Sequence, residues 1–156
     1  MMSGSGTNFM KILQVEEALL KKLQEELPEL SVEAFPDKPD DYDFIHPVGA
    51  VLVKYDSSSF GDDYCLAYTA QYRTLTFMIV SLTRNLRTHC GCYDVLERIR
   101  NVILGLKLPG LEQVKQVDEQ FSDETDGIWT YIQTFNIKTL ALQQLPNFTA
   151  QDPDYE

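Results

Sequence analysis

Pro47-Val48-Gly49-Ala50-Val51-Leu52-Val53-Lys54-Tyr55, a polar interval, and then the unbroken run from Tyr68 through Gln71-Tyr72-Arg73 and Phe77-Met78-Ile79-Val80 to Thr83 decide the fold of this chain. The first run is almost continuously apolar, the pattern of a strand covered on both faces. The second is long for a strand and alternates. One face carries Thr69, Gln71, Arg73, Leu75, Phe77, Ile79 and Ser81, and the other Tyr68, Ala70, Tyr72, Thr74, Thr76, Met78 and Val80. On the first face polar residues give way to apolar ones at Leu75. The strand is therefore expected to begin beyond the covered core, where it must be paired or shielded to avoid a sticky edge. Neither run holds a nucleophile beside a base or a set of metal ligands. The stretch points to a scaffold that binds through loops and sheet edges.

Working outward, two polar intervals are read as exposed loops. Pro36-Asp37-Lys38-Pro39-Asp40-Asp41 precedes the apolar strand, its prolines stopping strand pairing. Asp56-Ser57-Ser58-Ser59 and Gly61-Asp62-Asp63 separate the two strands. Upstream, Ile12, Val15, Leu19, Leu20, Leu23 and Leu27 recur at helical spacing, predicting a helix from about Thr7 to Leu27. Thr7 or Asn8 can cap its start and Pro28 ends it. A short strand over Leu30 to Phe35 follows. Downstream, Val95, Leu96, Ile99, Val102, Ile103 and Leu106 predict a second helix over Tyr93 to Leu106, closed by Gly105, Pro109 and Gly110. Two more strands are expected, Val114 to Phe121 and Trp129 to Leu142, with Ser122 to Gly127 between them. The order implies an α+β domain, a largely antiparallel sheet of four to five strands with two helices packed on one face.

At 156 residues the chain fits one domain. Residues 1–145 are assigned to it and 146–156, polar throughout, to a flexible C-terminal tail. No apolar run approaches the length of a membrane span, and the start shows no secretory signal pattern. The net charge of −11 argues against a nucleic-acid binder, which carries a basic footprint. Arg84, Arg87, Arg98, Arg100 and Lys107 nevertheless form a local basic cluster, read as a solvated helix face or as a contact for an acidic neighbour.

His89-Cys90-Gly91-Cys92 is the one cluster with reactive side chains. A metal site needs more ligands in spaced pairs, and the other candidates, His46 and Cys65, are isolated in sequence. A catalytic thiol needs an activated thiolate, which adjacent residues in a turn seldom arrange. The segment reads as a small-residue loop before a helix. Asp62, Asp63, Asp118, Asp123, Glu124 and Asp126 have no apolar flank and read as solvated surface rather than an acid–base pair. Trp129, Tyr131, Phe135 and Tyr72 read as core or subunit interface. No catalytic residue, cofactor or metal ligand is assigned. Exposure and charge single out Asp40, Asp41 and Tyr42, then Ser58, Phe60 and Asp62, then Gln71 and Arg73, and finally Arg84, Arg87, Arg98 and Arg100, as candidate subunit or partner contacts.

From Val15 to Leu142 the chain resembles the tail-terminator-like proteins of Mu-like contractile-tailed phages and prophages. The resemblance is carried by the ordered set Glu16-Glu17-Ala18-Leu19-Leu20-Lys21-Lys22-Leu23, Phe35-Pro36, Gly49 to Tyr55, Gln71-Tyr72-Arg73, Arg84-Asn85-Leu86, Gly91 to Glu97, Leu104-Gly105-Leu106, Pro109-Gly110 and Trp129 to Phe135. It implies a non-enzymatic virion protein: a homo-oligomeric ring, six-membered in proteins of this type, at the head-proximal end of the tail. The ring would cap tube and sheath and dock to the neck. A neck adaptor is the alternative role. The resemblance also implies that DNA passes through the ring. Six copies of a −11 chain would repel a duplex carrying about one charge per 1.7 Å, so it would slide without specific binding. No membrane is involved in this reading.

Overall fold

The structure is a computed structural model that describes residues 10–63 and 67–144. Helix α1 spans Ile12–Glu26 and buries Val15, Leu19 and Leu23, the stripe expected from the spacing. It begins later than predicted. Lys11 precedes it, its backbone N–H donating to Gln14 Oε1 at 2.7 Å, and the expected caps Thr7 and Asn8 lie outside the described residues. Strand β1 (Ser31–Ala34) follows, then a crossover containing a 3-10 turn at Pro39–Asp41. Strands β2 (Gly49–Asp63) and β3 (Ala70–Thr83), helix α2 (Cys92–Ile103), and strands β4 (Lys115–Thr125) and β5 (Ile128–Leu142) complete the chain.

The strands form one sheet in the order β1-β2-β3-β5-β4. Only β1 and β2 run parallel, and the other three pairings are antiparallel. The α+β class, the largely antiparallel sheet and the two helices agree with the sequence reading. Val51, Val53, Leu75, Phe77, Ile79, Phe135 and Ile137 face the helices and join the α1 and α2 stripes in one core. Burying a side chain the size of Phe77 or Phe135 stabilises the fold by about 1.5–3 kcal/mol. The face change at Leu75 is present: Leu75, Phe77 and Ile79 are buried, whereas Gln71 and Arg73 are only partly covered.

Two predicted connections are corrected. The polar interval 56–63 is not a loop but the second half of β2, with Ser57, Ser58, Ser59 and Phe60 registered against Thr76, Leu75, Thr74 and Arg73. Its serines and aspartates carry turn chemistry, but the projecting start of β3 needs a partner and β2 supplies it. Register shifts after Tyr55 and after Phe60 mark two bulges, which disguise the strand by breaking its alternation. Likewise Ser122 to Thr125 belong to β4, and the hairpin closes through Asp126-Gly127 alone, both with positive φ (54° and 80°). This is the two-residue turn whose twist matches antiparallel strands.

The sheet face away from the helices carries no helix. At the β1 edge the crossover 35–48 partly closes over it, with Phe35 beneath the Lys54 ammonium at 5.2 Å. This covers β2 on both sides, so Ala50 and Leu52 are buried as fully as Val51 and Val53.

Candidate interaction surfaces

The candidate contact residues fall in three places. The first is the helix-free extension of the sheet. Arg73 donates from Nε to Ser58 Oγ at 3.1 Å and stacks over the Phe60 ring at 5.5 Å, while Gln71 reaches the Gly61 carbonyl at 3.4 Å. Ser58, Phe60, Gln71 and Arg73 thus form one patch, fixed by strand register, and Phe60 is 55% exposed. Asp62 lies exposed on the same extension, within the second bulge.

The second place is the crossover. Asp41 and Tyr42 line an open groove of about 780 Å³ with Ser31, Glu33, Pro36, Lys38, Asp43, Ile45, His46 and Pro47, and Asp40 lies in the adjoining 3-10 turn. Partial burial, aided by the carboxylates of Glu33 and Asp43, raises the pKa of the Tyr42 phenol. The crossover is anchored at its far end by His46. Its Nδ1 accepts from the backbone N–H groups of Val48 and Gly49 at 3.1 and 3.2 Å, and its carbonyl accepts from Arg84 Nε and Nη2.

The third place is the arginine set, which the structure divides. Arg84 is used on His46 and over the Phe44 ring at 4.4 Å, and Arg87 lies over Tyr93 at 5.6 Å. Arg98 bonds Glu29 at 2.9 Å and the Glu26 carbonyl at 3.4 Å. Arg100 pairs with Glu97 at 2.6 Å and with Glu119. Lys107 donates to the carbonyls of Leu108 and Leu111. Arg98 and Arg100 therefore tie α2 to the α1–β1 corner and to β4, and are already matched by carboxylates.

The His89-Cys90-Gly91-Cys92 segment separates into two environments. Cys92 is fully buried at the start of α2, and burial pushes its thiol up to about 11, the wrong direction for a nucleophile. Cys90, with φ 61°, turns the other way, and its N–H is held by Asp94 Oδ2 at 2.9 Å. Donor atoms of Glu29, His89 and Cys90 do converge within 4.8 Å of one another, a grouping the sequence could not show. The Arg98 guanidinium, however, contacts both the Glu29 carboxylate and Cys90 Sγ (3.5 Å), putting a positive charge where a metal ion would need to sit. The Arg98 hydrogen bond holds the Glu29 carboxyl below its ordinary pKa. The cluster is a tether between helices. His46 is far from it in role, and Cys65 lies outside the described residues.

One surface was only half visible in the sequence, which offered Trp129 and Tyr131 but not Phe121. On the outer strand β4, Phe121 is 53% exposed and packs against Trp129 and Tyr131 of β5 at ring distances of 6.1 and 5.6 Å. Phe135, on the same face of β5, is core, one of its two readings from sequence, and Tyr72 projects from the opposite face with Lys138 over its ring at 4.3 Å. The signal that could have found the patch is the pairing of Phe121 with Tyr131, hidden because the sequence places Phe121 at a strand end rather than inside one. Glu124, opposite Trp129, shares its side of the hairpin, while Asp118 and Asp123 take the helix-free side; these three and Asp126 are exposed and without an ion-pair partner among the described residues.

The architecture thus presents an extended sheet, two tethered helices and several exposed contact surfaces, with the buried thiol withheld from solvent. A family model, that of the Gp37 protein, matches residues 19–153, from the middle of α1 through the whole sheet. The chain belongs to the Gp37 protein family. It is accordingly a phage protein, of a family with a structural role. The matched span contains every contact surface described above. A comparison with curated proteins finds no match. Among the described residues, no helix of this Gp37-family chain is long and apolar enough to cross a membrane.

Proposed function

We propose that this Gp37-family protein is a virion component of a contractile tail that assembles into a ring at the head-proximal end, stops polymerisation of tube and sheath, and docks to the neck. The observation that carries the reading is the family match together with the strand extension beyond the helix-covered core. A head-to-tail ring needs two unlike faces on each subunit. The Ser58–Arg73 patch at one end of the sheet and the acidic, aromatic β4–β5 hairpin at the other supply two.

The mechanism is steric. Tube subunits add until the ring covers the exposed end, and the outer side of the ring offers no further tube-binding surface. No bond is made or broken, so no catalytic group is required. The net charge of −11 on each copy supports passage of DNA without adhesion.

Electron microscopy of particles assembled with and without the gene tests the reading. Overlong or ragged tails beside filled heads are expected in its absence. Tails of normal length that fail to join heads would move the role to a neck adaptor. Normal infectious particles would sink both.

A further inference from the structure

The acidic charge of this chain is unevenly placed. The two central strands, β3 and β5, contain no aspartate or glutamate along their whole lengths. On the helix-free face, Lys54 of β2, Lys138 of β5 and Lys115 of β4 share the side occupied by Thr74, Thr76, Thr134 and Asn136. Among the described residues none of these three ammonium groups has an ion-pair partner, and Lys54 and Lys138 rest on aromatic rings instead. Towards the Ile128 end of β5 the same sheet carries the opposite charge, beginning at Asp118, which lies level with Lys54 across the sheet. Between Lys115 and Lys138 every charged residue is an acid: Asp118, Glu119, Asp123, Glu124 and Asp126. Glu119 is satisfied by Arg100 and by Gln133 Nε2, whereas Asp118, Asp123 and Glu124 accept only local hydrogen bonds from Gln120, Thr125 and Gly127. The hairpin also bears two exposed apolar side chains, Phe121 and Val117.

We propose that the helix-free sheet face, through Lys54, Lys115 and Lys138, receives the acidic β4–β5 hairpin of a second copy of this chain. The occupant follows from charge complementarity. A protein of net charge −11 repels its own copies except where a basic surface meets an acidic arm, and this chain carries one of each. The arm lies at the Ile128 end of β5 and Lys138 towards the other, so the two surfaces are separate on each subunit, as a head-to-tail contact requires. The bulges after Gln116 and after Phe121 interrupt the outer edge of β4, so the arm docks by its side chains rather than by adding a strand. This contact rests on the self-assembling reading above and gives the hairpin the helix-free face, rather than the Ser58–Arg73 patch, as its partner.

The test is independent of the number of subunits in the ring. Wild-type protein, half of it isotope-labelled, is concentrated at low salt and treated with a zero-length carboxyl–amine cross-linker. Links between copies from Lys54, Lys115 or Lys138 to Asp118, Asp123 or Glu124 are expected. In sedimentation, K54E/K115E/K138E is expected to weaken self-association by about tenfold or more, as is high salt. The arm variant D118K/D123K/E124K does the same alone. Mixed together, the two variants should associate again, a recovery that misfolding of either could not produce. Association with inter-copy links elsewhere overturns these surfaces while leaving the assembly reading intact. A wild-type protein that stays monomeric at millimolar concentration overturns the contact itself, and the tail-length phenotype then decides the assembly reading separately.

Discussion

At the scale of single residues, the buried polar groups set the most specific expectations. Cys92 is enclosed at the start of α2, and its thiol is raised from 9.0 to about 11 chiefly by burial. A folded-state pKa above the unfolded one favours the folded chain fully below the unfolded value, and the advantage is lost as pH rises towards the folded value. Wild-type protein is therefore expected to lose stability between roughly pH 9 and pH 11 more steeply than Cys92→Ala. Parallel urea midpoints across that interval would contradict the burial argument. Gln133, also fully buried, donates to the Leu96 carbonyl at 3.1 Å and to Glu119 at 2.9 Å, while its Oε1 has no partner among the described residues. Gln133→Met keeps the volume and removes that orphaned acceptor, and should cost under about 1.5 kcal/mol. Gln133→Ala also opens a cavity and should cost about 2–4 kcal/mol in chemical denaturation. Equal costs would show that the hydrogen bonds, not the packing, dominate. None of this is legible in the sequence. Parity puts Gln133 on the core face between Tyr131 and Phe135, but only the position of α2 shows that a carbonyl and an ion-paired carboxylate wait there for its amide.

At the scale of elements, tight turns govern the sheet. The Asp126-Gly127 turn holds Gly127 at φ 80°, a conformation that an L side chain resists, so Gly127→Ala should destabilise by about 1–2 kcal/mol without altering the core. Gly91 differs, since its φ of −77° is ordinary. An added Cβ would instead lie 2.4 Å from Asn85 Oδ1 and 2.8 Å from the Thr88 carbonyl, so Gly91→Ala should force open the loop that starts α2, at a cost of about 1–3 kcal/mol. A thermal shift for Gly91→Ala no larger than for an exposed site would refute that reading. Helices and apolar strands are readable because their periods are set by the core they face. The second half of β2 is not, because Asp56-Ser57-Ser58-Ser59 is chemically a loop and becomes a strand only through pairing with β3. The same holds for the end of β4. In both cases long-range pairing overrides local turn preference. The contact surfaces suffer accordingly: Ser58, Phe60, Gln71 and Arg73 stand apart in sequence and prove to be one patch, whereas Arg98 and Arg100 look free and are paired.

At the scale of the whole molecule, protection should follow the order of the sheet. β3 is paired on both sides, lies at the centre and is covered by α2, while β4 has one neighbour and exposed side chains along nearly its full length. Hydrogen exchange on dilute protein should leave the amides of Leu75 to Ser81 slowest and those of β4 among the fastest in the sheet. Protection of β4 equal to that of β3 in the dilute monomer would mean that its outer edge is covered in a way this fold does not show.

The placement of β5 between β3 and β4 has a consequence for synthesis. Thr83 pairs with Trp129 and Ala70 with Leu142, so the central ladder joins positions far apart in the chain. Closing so long a loop precedes any gain from the pairing, which makes this step slow compared with hairpin or helix formation. A ribosome delivers β5 after every other described strand. Until it arrives β3 has a bare edge, and α1, β1 and β2 have only half a platform to lie on. The nascent protein therefore waits, partly built, until its last strand slides in. A host chaperone that holds exposed strand edges would meet it during that interval.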